Sequence, residues 1–251
     1  MENIQNLNDD FKYSKPEEIL EYFITHYKNK IAFASSFSIE DQVITKMIVD
    51  INRDTKIITL DTGRLPYETY KLIESTNSFF DIKIDVYFPE FNSVQKIVKE
   101  KGINLFYNSV EERKLCCSVR KVEPLKRALQ GHEAWVTGLR KEQSITRNNL
   151  NLIDIDENFS LVKINPLFSW TEDEVWSYIK KHNIPYNNLY NKNYKSIGCA
   201  PCTRAVSEGG DAREGRWWWE NPDTKECGLH LNHSTLSNNE EVVLEKEKGA
   251  A

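Results

Sequence analysis

No stretch of this 251-residue chain approaches the roughly twenty consecutive apolar residues that cross a bilayer, so a membrane-spanning role is not expected. The opening M-E-N-I-Q-N-L-N-D-D lacks a basic region, an apolar run and a small-residue cleavage site, which points to a cytoplasmic protein. An excess of positive charge is also missing. Lys and Arg number 33 against 38 Asp and Glu, and a net charge of -5 argues against a general nucleic-acid binder. Glycine is sparse, at ten residues, and no G-x-x-x-x-G-K is present, which excludes a Walker-type phosphate loop. There is no internal repeat and no extended low-complexity tract. Cysteine is scarce too: five residues, unevenly spaced, which in a reducing compartment suits metal binding or catalysis better than a disulfide framework.

Those five cysteines are the most informative residues present. Cys116 and Cys117 are adjacent, Cys199 and Cys202 frame a C-A-P-C turn, and Cys227 stands alone in E-C-G-L-H. Two short-spaced pairs are a common route to a tetrathiolate metal site. Adjacent ligands are unusual for a single zinc ion, because neighbouring side chains diverge, and a cluster with several corners accommodates them better. Structural zinc and a pair of buried thiols beside a redox dithiol are the competing readings. Cys227, outside both pairs, is the candidate nucleophile. A nearby arginine or protonated histidine such as His230 would favour its thiolate, and the bland alternative is a spare cysteine in a polar tail.

With 39% hydrophobic residues the chain can bury one substantial core. Ser14 before Lys15-Pro16-Glu17-Glu18 reads as a helix start, the helix running to about Lys28. Strand, polar loop and helix then alternate. Ile31–Ala34 leads through Ser35-Ser36-Phe37-Ser38 into a helix from Ile39 to Val49. Lys56–Leu60 leads through Asp61–Arg64 into a helix beginning near Pro66. Ile82–Phe88 precedes a helix over Asn92–Lys101, and strands follow at Ala134–Gly138 and Leu161–Ile164. This order predicts an α/β fold, a doubly wound parallel sheet with right-handed crossovers. Ligands of such sheets sit outside the carboxyl ends of the strands, so the loops at 35–38, 61–64 and 138–147 should face one crevice. Thr171 and Glu174 form a capping-box pattern at the head of one more helix. Beyond Pro185 periodicity fades, and from Asn232 the tail is polar and rich in Glu and Lys. The expected organisation is one domain over 1–231: a nucleotide-binding core at about 30–170, a cluster and arginine region over 171–220, a catalytic segment over 221–231, and a disordered tail over 232–251.

Basic residues concentrate locally at Arg120 with Lys121, at Arg140 with Lys141 and Arg147, and at Arg204 with Arg213 and Arg216. Such clusters suit a small polyanion. In D-A-R-E-G-R-W-W-W the guanidinium forks of Arg213 and Arg216 match phosphate or sulfate oxygens, and the indoles can anchor the segment. A surface ion-pair turn is the plainer reading. Ser35-Ser36-Phe37-Ser38 offers hydroxyls and backbone N–H groups to an anion at a helix N-terminus, a weak signal alone.

Taken together, seven ordered motifs resemble the thioredoxin-dependent adenylyl-sulfate and phosphoadenylyl-sulfate reductases. They are S-S-F-S-I-E-D-Q at 35–42, L-D-T-G-R-L-P at 60–66, C-C-S-V-R-K-V-E-P-L at 116–125, T-G-L-R-K-E-Q-S at 137–144, G-C-A-P-C-T-R at 198–204, R-E-G-R-W-W-W-E at 213–220 and E-C-G-L-H at 226–230. The resemblance implies an adenine nucleotide alpha-hydrolase-like fold and reduction of adenylyl sulfate to sulfite and AMP in assimilatory sulfate reduction. Phosphoadenylyl sulfate, or both nucleotides, is the alternative, with Arg64 available for a 3'-phosphate. The four-cysteine pattern resembles the branch carrying a [4Fe-4S] cluster, which Cys116, Cys117, Cys199 and Cys202 would hold. Cys227 would be the nucleophile, forming a Cys S-sulfonate that reduced thioredoxin cleaves. Lys121, Arg147, Arg213, Arg216 and His230 are assigned to the phosphosulfate, and Ser35, Ser36, Phe37, Ser38, Leu60, Gly63 and Gly138 to the nucleotide. A thiol nucleophile and an external dithiol already supply both electrons, so the cluster is expected to act structurally and electrostatically, with Lys121 between it and the substrate. No nucleic-acid or membrane partner is expected, and a homo-oligomer stays open. Two rivals of other classes are a zinc-stabilised ATP pyrophosphatase, which should carry a glycine-rich S-G-G-x-D-S loop, and an iron–sulfur sensor, which would not need Cys227.

Overall fold

A computed structural model of the chain describes residues 4–143, 150–207, 209–211, 213–221 and 225. Six strands form one sheet in the order β3-β2-β1-β4-β6-β5. They are β1 (Ile31–Ser35), β2 (Lys56–Leu60), β3 (Asp85–Tyr87), β4 (Ala134–Val136), β5 (Ile153–Asp156) and β6 (Leu161–Ile164). Neighbours run parallel from β3 through β6, with Phe33 opposite both Ile57 and Val136. Strand β5 is antiparallel, pairing Ile153 with Ile164. The sequence reading did not place β5, because its I-D-I-D alternation is short and Ile155 is exposed.

Alternation along β1 divides the core. Ile31 and Phe33 pack on one face with helices α2 (Pro16–Tyr27), α3 (Ile39–Ile51) and α8 (Glu172–His182), whereas Ala32 packs on the other with Leu125 and Ala128 of α7 (Glu123–Ala128). A sheet buried on both faces needs this near-continuous apolar run. Helix α8 begins at the expected capping box, Glu174 N donating to Thr171 Oγ1 at 3.2 Å. Its Val175 and Ile179 belong to the main core. Helix α2 is capped at Lys15 rather than Ser14, with Lys15 N donating to Glu18 Oε2 at 2.9 Å. The acidic lead forms a short helix, α1 (Ile4–Asp10), whose Asn8 exchanges two hydrogen bonds with the backbone of Ile153 and so covers the sheet edge.

A third, smaller core lies off the sheet. Cys116 and Val119 pack there with Cys199, Cys202, Trp217 and Phe106. The remaining helices are α4 (Tyr67–Phe80), α5 (Phe91–Lys101) and α6 (Val110–Cys117).

Candidate active site

The chain order reverses between β1 and β4: β1, β2 and β3 progress one way and β4 and β6 lie on the other side. At such a switch point the loops after adjacent strands diverge and leave a crevice. A cavity of about 280 Å³ opens there, lined by Ser35, Ser36 and Ser38 after β1, Leu60 and Thr62 after β2, and Thr137 and Gly138 after β4. The three loops expected to converge do so. Apolar wall comes from Ala34, Ile58, Leu125 and Trp135, and cationic wall from Lys121, Lys195, Arg213 and Arg216.

Two expected nucleotide residues are placed differently. Phe37 does not line the cavity; at φ 61 its ring turns into the main core and is 2% exposed. Gly63 is not in the lining either, and its N–H donates to Asp61 Oδ1 at 2.7 Å. The loop after β1 is also already satisfied. Asp41 Oδ2 accepts from Ser36 N at 2.7 Å, Ser36 Oγ at 2.6 Å and Ser38 N at 3.3 Å, while Phe37 N donates to Ser35 Oγ at 3.2 Å. An internal carboxylate therefore occupies the donors read as an anion site. Burial pushes the Asp41 carboxyl up to about 6 even though the Ser36 hydrogen bonds oppose the rise. A Cβ on Gly138 would collide with Asp41 Oδ1 and crowd Glu40 Cβ, so only glycine admits this approach.

Of the local basic clusters, several members serve structure. Arg140 Nε donates to Glu40 Oε1 at 2.8 Å in a pair whose side chains are 4% and 5% exposed. Arg120 Nη1 donates to Thr62 O at 2.7 Å. Arg64 donates to Ile103 O at 2.7 Å and Asn104 Oδ1 at 2.9 Å and does not line the larger cavity. Glu40, Asp41 and Tyr190 also line the cavity and were missed. Burial raises Tyr190, with Glu40 adding to the rise, and its hydroxyl accepts from Ile39 N at 3.4 Å.

All four paired cysteines are buried and line a second, smaller cavity. Cys116 and Cys117 end α6 where it passes into a π-helical turn, Ser118–Val122, and this widened turn coincides with both neighbours reaching one cavity. Cys199 opens the short helix Ala200–Cys202, anchored by Ala200 N donating to Arg64 O at 2.8 Å. Thr62 Oγ1 lies 3.2 Å from Cys199 Sγ. Lys121 and Cys199 line both cavities and so form their common wall.

The arginine segment is held over the cysteines. Thr203 pairs with Arg216 in an antiparallel bridge, and Trp217 N donates to Cys202 O at 3.3 Å. Arg216 Nη1 donates to Ser196 Oγ at 3.3 Å, and Arg213 Nε and Nη2 donate to Lys225 O at 3.1 and 2.8 Å. Trp219 meets Tyr107 edge-on at 4.4 Å, which anchors the tryptophan run on the domain. Arg147, Cys227 and His230 lie outside the described residues.

A doubly wound α/β sheet with a cation-walled crevice at its switch point defines a protein built for a small anionic, nucleotide-sized ligand. The chain belongs to the phosphoadenosine phosphosulfate reductase domain family, whose pattern it matches over residues 30–205. It is 53% identical over 202 residues to adenosine 5'-phosphosulfate reductase of Allochromatium vinosum, covering 80% of this chain and 79% of that one. Identity to the Burkholderia cepacia protein of the same name is 48% over 207 residues, covering 82% and 83%. Among solved structures, phosphoadenylyl-sulfate reductase from Candida auris, in a phosphate complex, superposes with a TM-score of 0.70 at 29% identity, covering 82% of this chain and 97% of that one. FMN adenylyltransferase of Candida glabrata shares the fold alone, with a TM-score of 0.53 at 15% identity over 84% of this chain and 70% of that one. The expected doubly wound α/β architecture is thus found, in the form shared with a phosphoadenylyl-sulfate reductase.

Proposed function

We propose that this chain is an adenylyl-sulfate reductase of sulfate assimilation, acting in the cytoplasm, in which Cys227 takes the sulfonate and reduced thioredoxin releases it as sulfite. The observation that carries the reading is the wall shared by the two cavities, where Lys121 stands between the crevice and four buried thiols. Cys227 thiolate attacks the sulfur of the phosphosulfate; the S–S bond forms as the S–O bond to phosphate breaks, and AMP leaves. Its developing charge needs positioned cations, a role for Lys121, Arg213 and Arg216, with Arg147 and His230 proposed to join them. A thioredoxin thiolate then attacks Cys227 Sγ, sulfite departs, and the second thioredoxin thiol closes a disulfide, supplying the two electrons that take sulfate to sulfite.

Relatives sharing about four-fifths of the chain bear the name adenosine 5'-phosphosulfate reductase, which favours the nucleotide without a 3'-phosphate. Of the cations in the described crevice lining, Arg140 is paired with Glu40, and Lys121, Arg213 and Arg216 are the ones proposed for the phosphosulfate.

The donor set of the second cavity, four thiols, suits a [4Fe-4S] cluster, for which Cys116, Cys117, Cys199 and Cys202 are the proposed ligands. Its described lining offers no histidine and no carboxylate, but includes Arg64, Arg113, Arg120 and Lys121, which balance the negative charge of four thiolates. Burial, with Cys199 alongside, pushes the Cys202 thiol up, and burial raises Cys116 likewise; a bound metal centre would favour their thiolates. When bound, the cluster would tie segments more than eighty residues apart, with Lys121 as a cation between it and the crevice. Sulfite release from adenylyl sulfate and reduced thioredoxin, abolished in Cys227→Ser with iron content and AMP binding retained, is the expected result. Turnover by that variant would remove Cys227 from the reaction.

A further inference from the structure

Trp217 is fully buried, yet its backbone adopts φ 40, a left-handed conformation that bulky side chains rarely take. Such strain persists only where the surroundings impose it, and it gathers at functional sites. Three guanidinium groups surround the indole. The Cζ atoms of Arg113, Arg216 and Arg213 lie 4.6, 4.6 and 5.6 Å from its ring. Their mutual repulsion is reduced on one side, because Arg113 is bound by both Glu220 oxygens at 2.9 and 2.8 Å. The other two guanidiniums line the nucleotide-sized crevice, whereas Trp217 does not and instead faces the cysteine cavity.

A guanidinium held near an aromatic ring by cation–π attraction can still direct N–H groups at an oxyanion. We propose that Trp217 is a positioning residue that fixes Arg213 and Arg216 relative to one another, presenting two guanidiniums as one receptor for the phosphosulfate end of the nucleotide. The inference rests on the reading of the crevice as the adenylyl-sulfate site. Trp217 acts through the arginines, so its loss should weaken binding of the anionic part of a ligand and spare the rest.

The test is calorimetric binding of AMP and of adenosine to the holoprotein, in wild type, Trp217→Phe and Trp217→Leu. Adenosine shares the base and ribose but lacks the charge. Trp217→Leu is expected to lose about tenfold in AMP affinity, corresponding to ~1.4 kcal/mol, with adenosine affinity retained. Trp217→Phe should lie between, since phenyl is a weaker cation partner than indole. AMP binding like wild type, or equal losses for AMP and adenosine, would overturn the proposal, the second by showing only a structural role. Should the Leu variant fail to fold, an unchanged ratio of AMP to adenosine affinity in Trp217→Phe overturns it equally. A wild-type protein that binds neither ligand and releases no sulfite overturns the reading of the crevice itself. A wild-type protein that reduces adenylyl sulfate while the variants keep their AMP affinity overturns the positioning role alone.

Discussion

Removing Glu220 should destabilise the protein far more than the loss of an ordinary ion pair. Arg113 and Glu220 are 0% and 3% exposed at their side chains, and two hydrogen bonds of 2.9 and 2.8 Å join them across 107 residues. Glu220→Ala leaves the Arg113 guanidinium buried beside Trp217 without the carboxylate that binds it through two hydrogen bonds. Breaking a buried pair from one side costs about 3–5 kcal/mol. For a domain of this size each kcal/mol lowers Tm by roughly 2–4 °C, so a fall of about 6–20 °C is expected. Arg113→Met combined with Glu220→Leu removes both charges and should recover most of that loss. Thermal unfolding of wild type, Arg113→Met, Glu220→Leu and the double variant, under anaerobic conditions, completes the double-mutant cycle, with Glu220→Ala measured beside them. A Glu220→Ala cost below about 1 kcal/mol, the range of an exposed pair, or a double variant no more stable than the single one, would refute the reasoning.

Asp41 gives a pH test with a defined sign. Its folded pKa of about 6 exceeds the usual carboxylate value of 3.8, so its contribution to stability is fully present below the unfolded pKa and is lost as pH rises through 6. Asp41→Asn escapes that loss, and the stability of the variant relative to wild type should rise by up to about 3 kcal/mol between pH 4 and pH 7; urea titrations showing a constant difference would contradict the assignment. Anaerobically purified wild type should contain about four iron and four sulfide per chain. Cys116→Ser, Cys117→Ser, Cys199→Ser and Cys202→Ser should each lose iron, whereas stoichiometric zinc without iron in unreconstituted protein would contradict the cluster. Spectra followed during turnover should show no change in cluster oxidation state, and a redox change keeping pace with sulfite would contradict its non-redox role.

The parallel sheet was legible because Ile31–Ala34 is an unbroken apolar run and Lys56–Leu60 a β-branched, largely apolar one, each before a polar loop and a helix. Strand β5 was not, since its pairing with β6 depends on a partner across the Glu157–Ser160 turn rather than on an apolar run of its own. Helix α1 buries only Leu7, too little apolar surface to leave a periodic signal. At the site, ligand types could be read from spacing but partners could not. Nothing local says that Arg140 is committed to Glu40, one hundred residues away, or that Tyr190 closes the crevice beside α3. Asp41 satisfies the loop that had been read as an anion site through contacts only three to five residues long, which the serine-rich pattern alone did not reveal. The adjacent cysteines share a cavity where α6 gives way to a π-helical turn, which propensity does not announce.

The most direct test of the account is the mass of Cys227 after wild-type enzyme meets adenylyl sulfate in the absence of thioredoxin. The account predicts that the peptide containing Cys227 alone gains one sulfonate, with AMP released in equal amount, and that reduced thioredoxin removes it as sulfite. An unmodified Cys227 alongside sulfite formation on adding thioredoxin would contradict it.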